Sequence, residues 1–550
     1  MAKMTGGEAI AKSLVREGVE VVFGLPGVQL YGIMAGLRDE PTVRFITTRH
    51  EQATGYMADG YARAGGGPGF GTALVVPGPG LLNAAGGLST AYSVSSPVFM
   101  ISGQVQRDFI GKDVGMLHEV NDQLTLIDPI TKWAKRVMTV GEIPSAVQEA
   151  VYQLKTGRPR PVEIEVPPET MEEQGEAVLL DPKEAIRAAA DSARIDTAAE
   201  MLINAKNPVI IAGGGVSLGN AHDALVELAE VLQAGVFTTL NGKSAIPWTN
   251  PFNLGMNRGP SASTPAGAYY AEADVIVGIG SRLAGLGGSI VPGDKQLIHI
   301  DIDSEEIGRS HENTYGLSGD AGKTMKELAS RIKSSGSRPS QIAKISEIKN
   351  TVFDSAPGTQ PQWDILRSLQ AGAPDDTILI PDSTQIGYYS MAYWKIASRN
   401  SYLGSGYSGN LGYAFPTGLG AKVAQPDRPV VVVAGDGGFM YNVSEMATAV
   451  QHGINLVTVV FNDNAYGNVG RDLDIGWGGQ YGTDLHNPDF PRLARSFGME
   501  AIQVKDPTKV GDSLKDAIQM DKPVLVEVPV DRMPVPGFFG QRPQAPKRPE

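Results

Sequence analysis

Residues 430–467 read VVVVAGDGGFMYNVSEMATAVQHGINLVTVVFNDNAYG. The opening valine run is apolar on both faces, which suits a strand inside a parallel sheet. It ends in Gly435-Asp436-Gly437-Gly438, passes through a helical stretch, SEMATAVQHG, and returns as a second strand, LVTVVFNDNAYG. A strand–helix–strand unit puts both strand ends on one edge of the sheet. Asp436 and the Asn462-Asp463-Asn464 turn therefore come side by side at the carboxyl edge, where open α/β sheets bind ligands. Oxygen side chains there, with glycines that let a backbone come close, suit a hard divalent cation holding a diphosphate. Taken alone, Asp436 also reads as a helix cap after a plain strand.

Outward from this stretch, the same alternation of β-branched runs with helical periodicity divides the chain into three α/β blocks. The first, 1–168, holds VEVVFGLPG, VRFITT, GTALVVPGPG and PVFMISG, and ends at PVEIEVPPE. The second, 197–335, holds NPVIIAGGGV, AGVFTTL, ADVIVGIGSRL and KQLIHIDID. The third, 360–531, holds DTILIPDS, the opening stretch and PVLVEVPV. Acidic residues 169–196 and the polar SSGSRPSQIAKISEIKN read as linkers, and 532–550 as a Pro-rich extended tail. The first and third blocks share an order of elements. The expectation is three consecutive parallel-sheet α/β domains.

Composition narrows the function. The 550 residues include no cysteine, which excludes thiol nucleophiles, thiolate metal sites and disulfide scaffolds. A net charge of −13 argues against a nucleic-acid partner. No apolar run approaches the ~18 residues a membrane span needs. The N-terminus reads as an amphipathic helix start with no signal core, so the expected setting is cytoplasmic, away from any membrane.

Two further stretches carry chemistry. Arg49-His50-Glu51 follows the strand RFITT and leads into the helix QATGYMADGYARAGG. A glutamate at that place also reads as a charge favoured by the helix dipole. VVPGPGLLNAAGGL (75–88) is a glycine-rich strand end running into a helix.

From GLPG through RHEQATGYMADGYARAGG, PGPGLLN, ISGQV, GRPRPVEIEVP, LGYAFPTGLGAK and GDGGF–FNDNAYG, essentially the whole chain resembles the thiamine-diphosphate-dependent decarboxylases and carboligases. The resemblance is strongest to the acetolactate-synthase-like branch. It implies a pyrimidine-binding domain (1–168), a central Rossmann-like domain (197–335) and a diphosphate-binding domain (360–531). It also implies thiamine diphosphate and Mg2+ as cofactors, and a homodimer or homotetramer with active sites between subunits. Glu51 matches the glutamate that hydrogen-bonds the cofactor's aminopyrimidine ring. Asp436, Asp463 and the carbonyl of Ala465 match the metal ligands, with Asp463 standing where an Asn is usual. Leu411 matches the residue that wedges the cofactor into its bent shape. Further cofactor contacts are implied at Gly27, Val28, Val76, Asn83, Gly409, Asn410, Gly435, Gly437, Gly438, Tyr466 and Gly467.

Departures from the family pattern bear on substrate. Val28 and Val76 stand where some decarboxylases carry polar groups or a histidine. The segment GKDVGMLHEVNDQ leaves His118, with Gln104 nearby, as the polar catalytic candidates. A site poor in proton relays favours adding the carbanion to an acceptor over quenching it with a proton. The leading expectation is a carboligase acting on a 2-oxo acid and an aldehyde or second 2-oxo acid. A 2-hydroxyacyl-CoA lyase and a 2-oxo acid decarboxylase are the alternatives, so a CoA thioester is a further candidate substrate. The middle block lacks the Phe-Asp-Asp-Arg pattern that accompanies flavin, which puts FAD in doubt. Arg258 and Arg282 read first as surface salt-bridging residues and otherwise as contacts for a nucleotide phosphate; Arg542, Lys547 and Arg548 could close over a CoA or nucleotide, or belong to a disordered tail.

Overall fold

A computed structural model describes residues 2–261, 263–285, 288–354 and 359–534. The tail cations Arg542, Lys547 and Arg548 lie outside the described residues.

Three parallel sheets organise the chain. The first has six strands: Val21–Gly24, Arg44–Thr47, Gly71–Val75, Val98–Gly103, Trp133–Arg136 and Val162–Val166. Named by their first residues, they lie in the order Arg44, Val21, Gly71, Val98, Val162, Trp133. The middle sheet joins Asn253–Met256, Val236–Thr238, Pro208–Ala212, Val275–Ile279, Gln296–Asp301 and Thr314–Ser318 in that order. Its strand order reverses between Pro208–Ala212 and Val275–Ile279, as in dinucleotide-binding folds. The third runs Ile378–Pro381, Val430–Gly435, Val457–Asn462, Val524–Pro529, Glu500–Gln503. The first and third sheets share a detail: in each, the sheet's last strand in sequence pairs with the strand two before it and leaves its immediate predecessor at the edge.

Within these three sheets four strands escape the sequence reading: Trp133–Arg136, Asn253–Met256, Thr314–Ser318 and Glu500–Gln503. All four are edge strands. An edge strand has one neighbour and incomplete cover, so its sequence need not be a continuous apolar run. Two other expectations need correction. The N-terminus does not begin as a helix: Ala2–Thr5 is a strand paired antiparallel with Gln174–Ala177, inside the stretch expected as a linker. Thr5 then caps the helix Gly6–Arg16 through a reciprocal box with Glu8. The second expected linker contains the helix Ile342–Asp354, which buries Ile345, Ile348 and Phe353.

The first and third blocks meet through two helices, Glu51–Arg63 and Ala414–Ala424. Their backbones approach so closely that a Cβ at Gly60 would fall 2.0 Å from the Thr417 carbonyl oxygen. One at Gly420 would fall 1.9 Å from that of Met57. Only glycine permits this contact, which fixes the Glu51 helix against the third sheet.

Between the middle and third blocks lies Lys243, 6% exposed, with its Nζ 5.5 Å from the centre of the Tyr402 ring. Among the described residues no carboxylate pairs with it. Burial, and then the charge of Arg258, push its pKa from 10.5 down to about 7. The unfolded chain thus binds more protons than the native one between these values, and stability rises with pH across that window. Lys243→Met should raise the melting temperature at pH 7, by the equivalent of about 2–4 kcal/mol. The gain should shrink towards pH 10. Melting curves of both proteins across pH 7–10 check this, and equal curves would contradict it.

Candidate active site

The strand Val430–Gly435 delivers Asp436 at the first position of a short helix, Asp436–Phe439, and leaves it 2% exposed. Its neighbour Val457–Asn462 is parallel to it, so Asp463 emerges beside Asp436. Burial raises both carboxyl groups above their ordinary range, Asp463 to about 6, with the Asp436 charge as the second cause. The backbone N–H of Ala465 faces both carboxylates and favours their charged forms. Two carboxylates that repel one another across one backbone position make a site short of positive charge.

Asn487 ties the neighbouring amides to Asp436. Asn487 donates from Nδ2 to Asp436 Oδ2 at 2.6 Å, to Asn462 Oδ1 at 3.0 Å and to Asn464 Oδ1 at 3.4 Å. Asn462 also donates to Glu527 at 2.9 Å. Both amides are thus engaged. Two backbone bonds, Tyr466 N–H to Thr483 and Leu485 N–H to the Asn464 carbonyl, both 2.8 Å, pin the turn. Gly467 gives Asp463 room, since a Cβ there would lie 2.2 Å from its Oδ2. Gly437 does the same for the Tyr466 ring, 2.5 Å from a Cβ at that position.

Asp382, at the end of the adjacent strand, is 1% exposed. It accepts from the N–H groups of Ser383 at 2.7 Å and Gly412 at 2.9 Å. Burial pushes its pKa up to about 6. This carboxylate clamps the 409–412 loop, where Gly409 has φ +60° and Leu411 is half-buried, against the Gly435–Gly438 turn. Asn410 reaches back to the first block, donating to the Tyr56 hydroxyl.

Glu51 is the first residue of its helix, and its Oε2 accepts from Asn83 Nδ2 at 3.0 Å. Asn83 lies on the helix Pro79–Ser93 that the glycine-rich stretch opens. The two backbone N–H groups before Glu51, at Arg49 and His50, donate at 3.0 Å to Glu445 Oε1, a buried carboxylate of the third block. The third block therefore fixes the backbone that carries Glu51.

The remaining candidates gather at the carboxyl edge of the first sheet. A Cβ at Gly27 would lie 2.3 Å from Val76, and Val28 is exposed. His118 pairs with Gln29, and its carbonyl oxygen would lie 2.1 Å from a Cβ at Gly78. Gln104 is 3% exposed and its Oε1 accepts from the N–H of Val105 at 2.7 Å, so its oxygen is turned inward. In the middle block, Arg258 and Arg282 stack on Tyr393 and Tyr407, each 4.4 Å from the ring centre. Among the described residues no three His, Cys, Asp or Glu side chains form a ligand cluster, and no helix is long and apolar enough to cross a membrane.

Sequence reasoning missed Asp382, Glu445, Asn487 and Gln29. Only Asp382, at the end of DTILIPD, carried a signal of its own, because it occupies the same strand-end position as Asp436.

Three consecutive family models match the chain: "Thiamine pyrophosphate enzyme, N-terminal TPP binding domain" at 4–126, the "central domain" at 195–328 and the "C-terminal TPP binding domain" at 382–528. The chain is 33% identical to a "Probable acetolactate synthase large subunit" of Methanococcus aeolicus, over 96% of its own length and 92% of the relative's. It is 31% identical to the "Acetolactate synthase large subunit" of Haemophilus influenzae, over 96% and 95%. A "Probable 2-ketoarginine decarboxylase" of Pseudomonas aeruginosa is 33% identical over 96% and 94%.

Proposed function

The chain belongs to the thiamine pyrophosphate enzymes, in the acetolactate-synthase-like branch, and on that premise we propose that it is a thiamine-diphosphate-dependent carboligase. It would join the acyl unit of a decarboxylated 2-oxo acid to an aldehyde or a second 2-oxo acid. The observation that carries the reading is the pair of edges described above: Asp436 and Asp463 side by side at the ends of neighbouring parallel strands, and Glu51 held by Asn83 on a backbone that Glu445 anchors.

The residues present fit the cofactor. Two carboxylates and a backbone carbonyl, with no nitrogen or sulfur ligand, suit Mg2+, and their shared negative charge is what a divalent cation offsets. Asp436, Asp463 and Ala465 would hold the metal. Gly435, Gly437, Gly438, Tyr466 and Gly467 would line the diphosphate, and Gly409, Asn410 and Leu411 the thiazolium side. Gly27, Val28, Val76 and Asn83 would line the pyrimidine side. When bound, thiamine diphosphate supplies the carbanion chemistry by which a 2-oxo acid loses carbon dioxide. Glu51 would hold a proton at the pyrimidine ring nitrogen, while His118 would face the substrate and Gln104, whose oxygen is turned to Val105, would reach it only through its amide nitrogen.

On this reading 1–168 binds pyrimidine, 197–335 is the central domain and 360–531 binds diphosphate. A second copy of the chain would complete the site in a homodimer or homotetramer. That assignment is supported by the exposed Val28 and Leu82 of the first block and the exposed Met440, Tyr441 and Trp477 of the third. Flavin should be absent: a purified sample should lack a flavin absorbance band, and stoichiometric flavin would contradict this.

A second reading, 2-oxo acid decarboxylation, is favoured by the similarity to the protein named for 2-ketoarginine. The test is product identification by NMR after incubation with thiamine diphosphate, magnesium and pyruvate, with and without aldehydes, and separately with 2-ketoarginine. Acetolactate or acyloins support the carboligase. Free aldehyde alone supports the decarboxylase, and CoA-thioester products in a parallel incubation with formyl-CoA would support a lyase.

A further inference from the structure

The loop before His118 is held by one side chain that no motif pointed to. Gln29 is 4% exposed and makes two hydrogen bonds to adjacent residues of that loop. Its Nε2 donates to the Leu117 carbonyl at 3.1 Å, and its Oε1 faces His118 Nδ1 at 3.1 Å. The first bond decides the second. A carbonyl only accepts, so the amide nitrogen must face Leu117 and the amide oxygen must face the imidazole. That oxygen also only accepts, so Nδ1 must carry the proton. In a neutral ring Nε2 is then bare, and among the described residues it has no hydrogen-bond partner.

The backbone is committed to the same arrangement. His118 has φ +67°, in the left-handed region that non-glycine residues avoid. Its carbonyl occupies the space where a Cβ of Gly78 would be, at 2.1 Å, just before the helix that carries Asn83 to Glu51. Strain of this kind persists only where the surroundings impose it.

We propose that Gln29 is a positioning residue which presents Nε2 of His118 to the acceptor substrate as the proton-transfer group of the reaction. The inference rests on the carboligase reading. As the new C–C bond forms, the acceptor's carbonyl π pair moves onto its oxygen. The imidazolium gives its Nε2 proton to that oxygen, keeps the N–H electron pair on Nε2, and regains a proton from bulk water.

The charged groups of this loop and of the helix start at Glu51 have partners of their own or are exposed. Glu119 turns its Oε2 into the N–H groups of Val114, Gly115 and Met116 at 3.1, 2.7 and 2.8 Å. Arg107 pairs with Glu173 at 2.7 Å, and Glu51 is bound by Asn83. Asp108, Lys112 and Asp113 of the same loop are exposed.

The test uses the full chain labelled with 15N-histidine; there are seven histidines, and His118→Asn identifies the signal, Asn being tolerant of a left-handed backbone. Without cofactor, at a pH where the ring is neutral, His118 should appear with its proton on Nδ1. Gln29→Leu should abolish that preference. With cofactor and substrates, His118→Asn should lower kcat about 100-fold with thiamine diphosphate affinity unchanged. Gln29→Leu should lower kcat with the donor KM held within about threefold, so that the loss sits in the chemical step. Gln29→Glu should keep turnover and move the pH profile of kcat upward, because a carboxylate facing Nδ1 favours the imidazolium. Should Gln29→Leu not fold, Gln29→Glu and His118→Asn decide. A wild-type signal with the proton on Nε2, or wild-type kcat and pH profile in His118→Asn, overturns the proposal. An Nδ1 proton in a protein that releases only aldehyde overturns the carboligase reading while supporting the pair.

Discussion

Glu51→Gln should bind thiamine diphosphate as tightly as the wild type and turn over at least about 100-fold more slowly, the lower end of what a positioned acid–base group contributes. The substitution keeps the shape of the side chain and can still meet Asn83, which donates to Glu51 Oε2 at 3.0 Å. The preceding backbone stays anchored, because Glu445 accepts from the N–H groups of Arg49 and His50. What an amide cannot do is share a proton with a ring nitrogen. Calorimetric affinity alongside kcat separates the two effects. Full turnover with normal exchange of the cofactor's reactive proton would sink the assignment. Asn83→Ala, which keeps the carboxylate and removes its partner together with one wall of the pyrimidine side, should lose far less turnover.

The second large effect belongs to the metal turn. Asp463→Ala should raise the magnesium requirement about 10- to 100-fold, the value of one charge-assisted contact of about 1.5–3 kcal/mol. Asp463→Asn should retain activity. The amide keeps an oxygen ligand and removes a repulsion with Asp436 that amounts to roughly 4 kcal/mol for unit charges ~4 Å apart at an effective dielectric near 20. Gly467→Ala offers an independent route to the same phenotype, since its Cβ would lie 2.2 Å from Asp463 Oδ2 and push the carboxylate out of place. Magnesium titrations of the three variants at saturating cofactor check this. An unchanged requirement in Asp463→Ala would show that the metal lies elsewhere on the turn.

What could be read from the residues follows from how each is buried. Interior strands such as Val430–Gly435 and Val457–Asn462 are covered on both faces, so burial alone writes their sequence. The edge strands Trp133–Arg136 and Glu500–Gln503 are half-covered, and lysine, arginine or glutamate sit in them without penalty. The helix Ile342–Asp354 hid behind polar residues because only three of its side chains are buried. At the site, Asp436 and the Asn462-Asp463-Asn464 turn were legible as neighbours because strand ends are fixed by the strands themselves, while only the family resemblance singled out Asp463 within the turn. Glu445 was not: it is one acid in an ordinary helical stretch, and its partners lie some 395 positions away. Gln29 was silent for the same reason, since its meaning depends on a loop that returns to it 89 positions later. Spacing reveals what one strand or helix positions, and conceals what two distant segments build together.

The central claim is that carbon dioxide loss is coupled to carbon–carbon bond formation. The most direct measurement is the ratio of carbon dioxide released to pyruvate consumed, with thiamine diphosphate and magnesium present and no other acceptor. Carboligation predicts one carbon dioxide for every two pyruvates, with no free acetaldehyde. One carbon dioxide for each pyruvate, with acetaldehyde in equal amount, would contradict it.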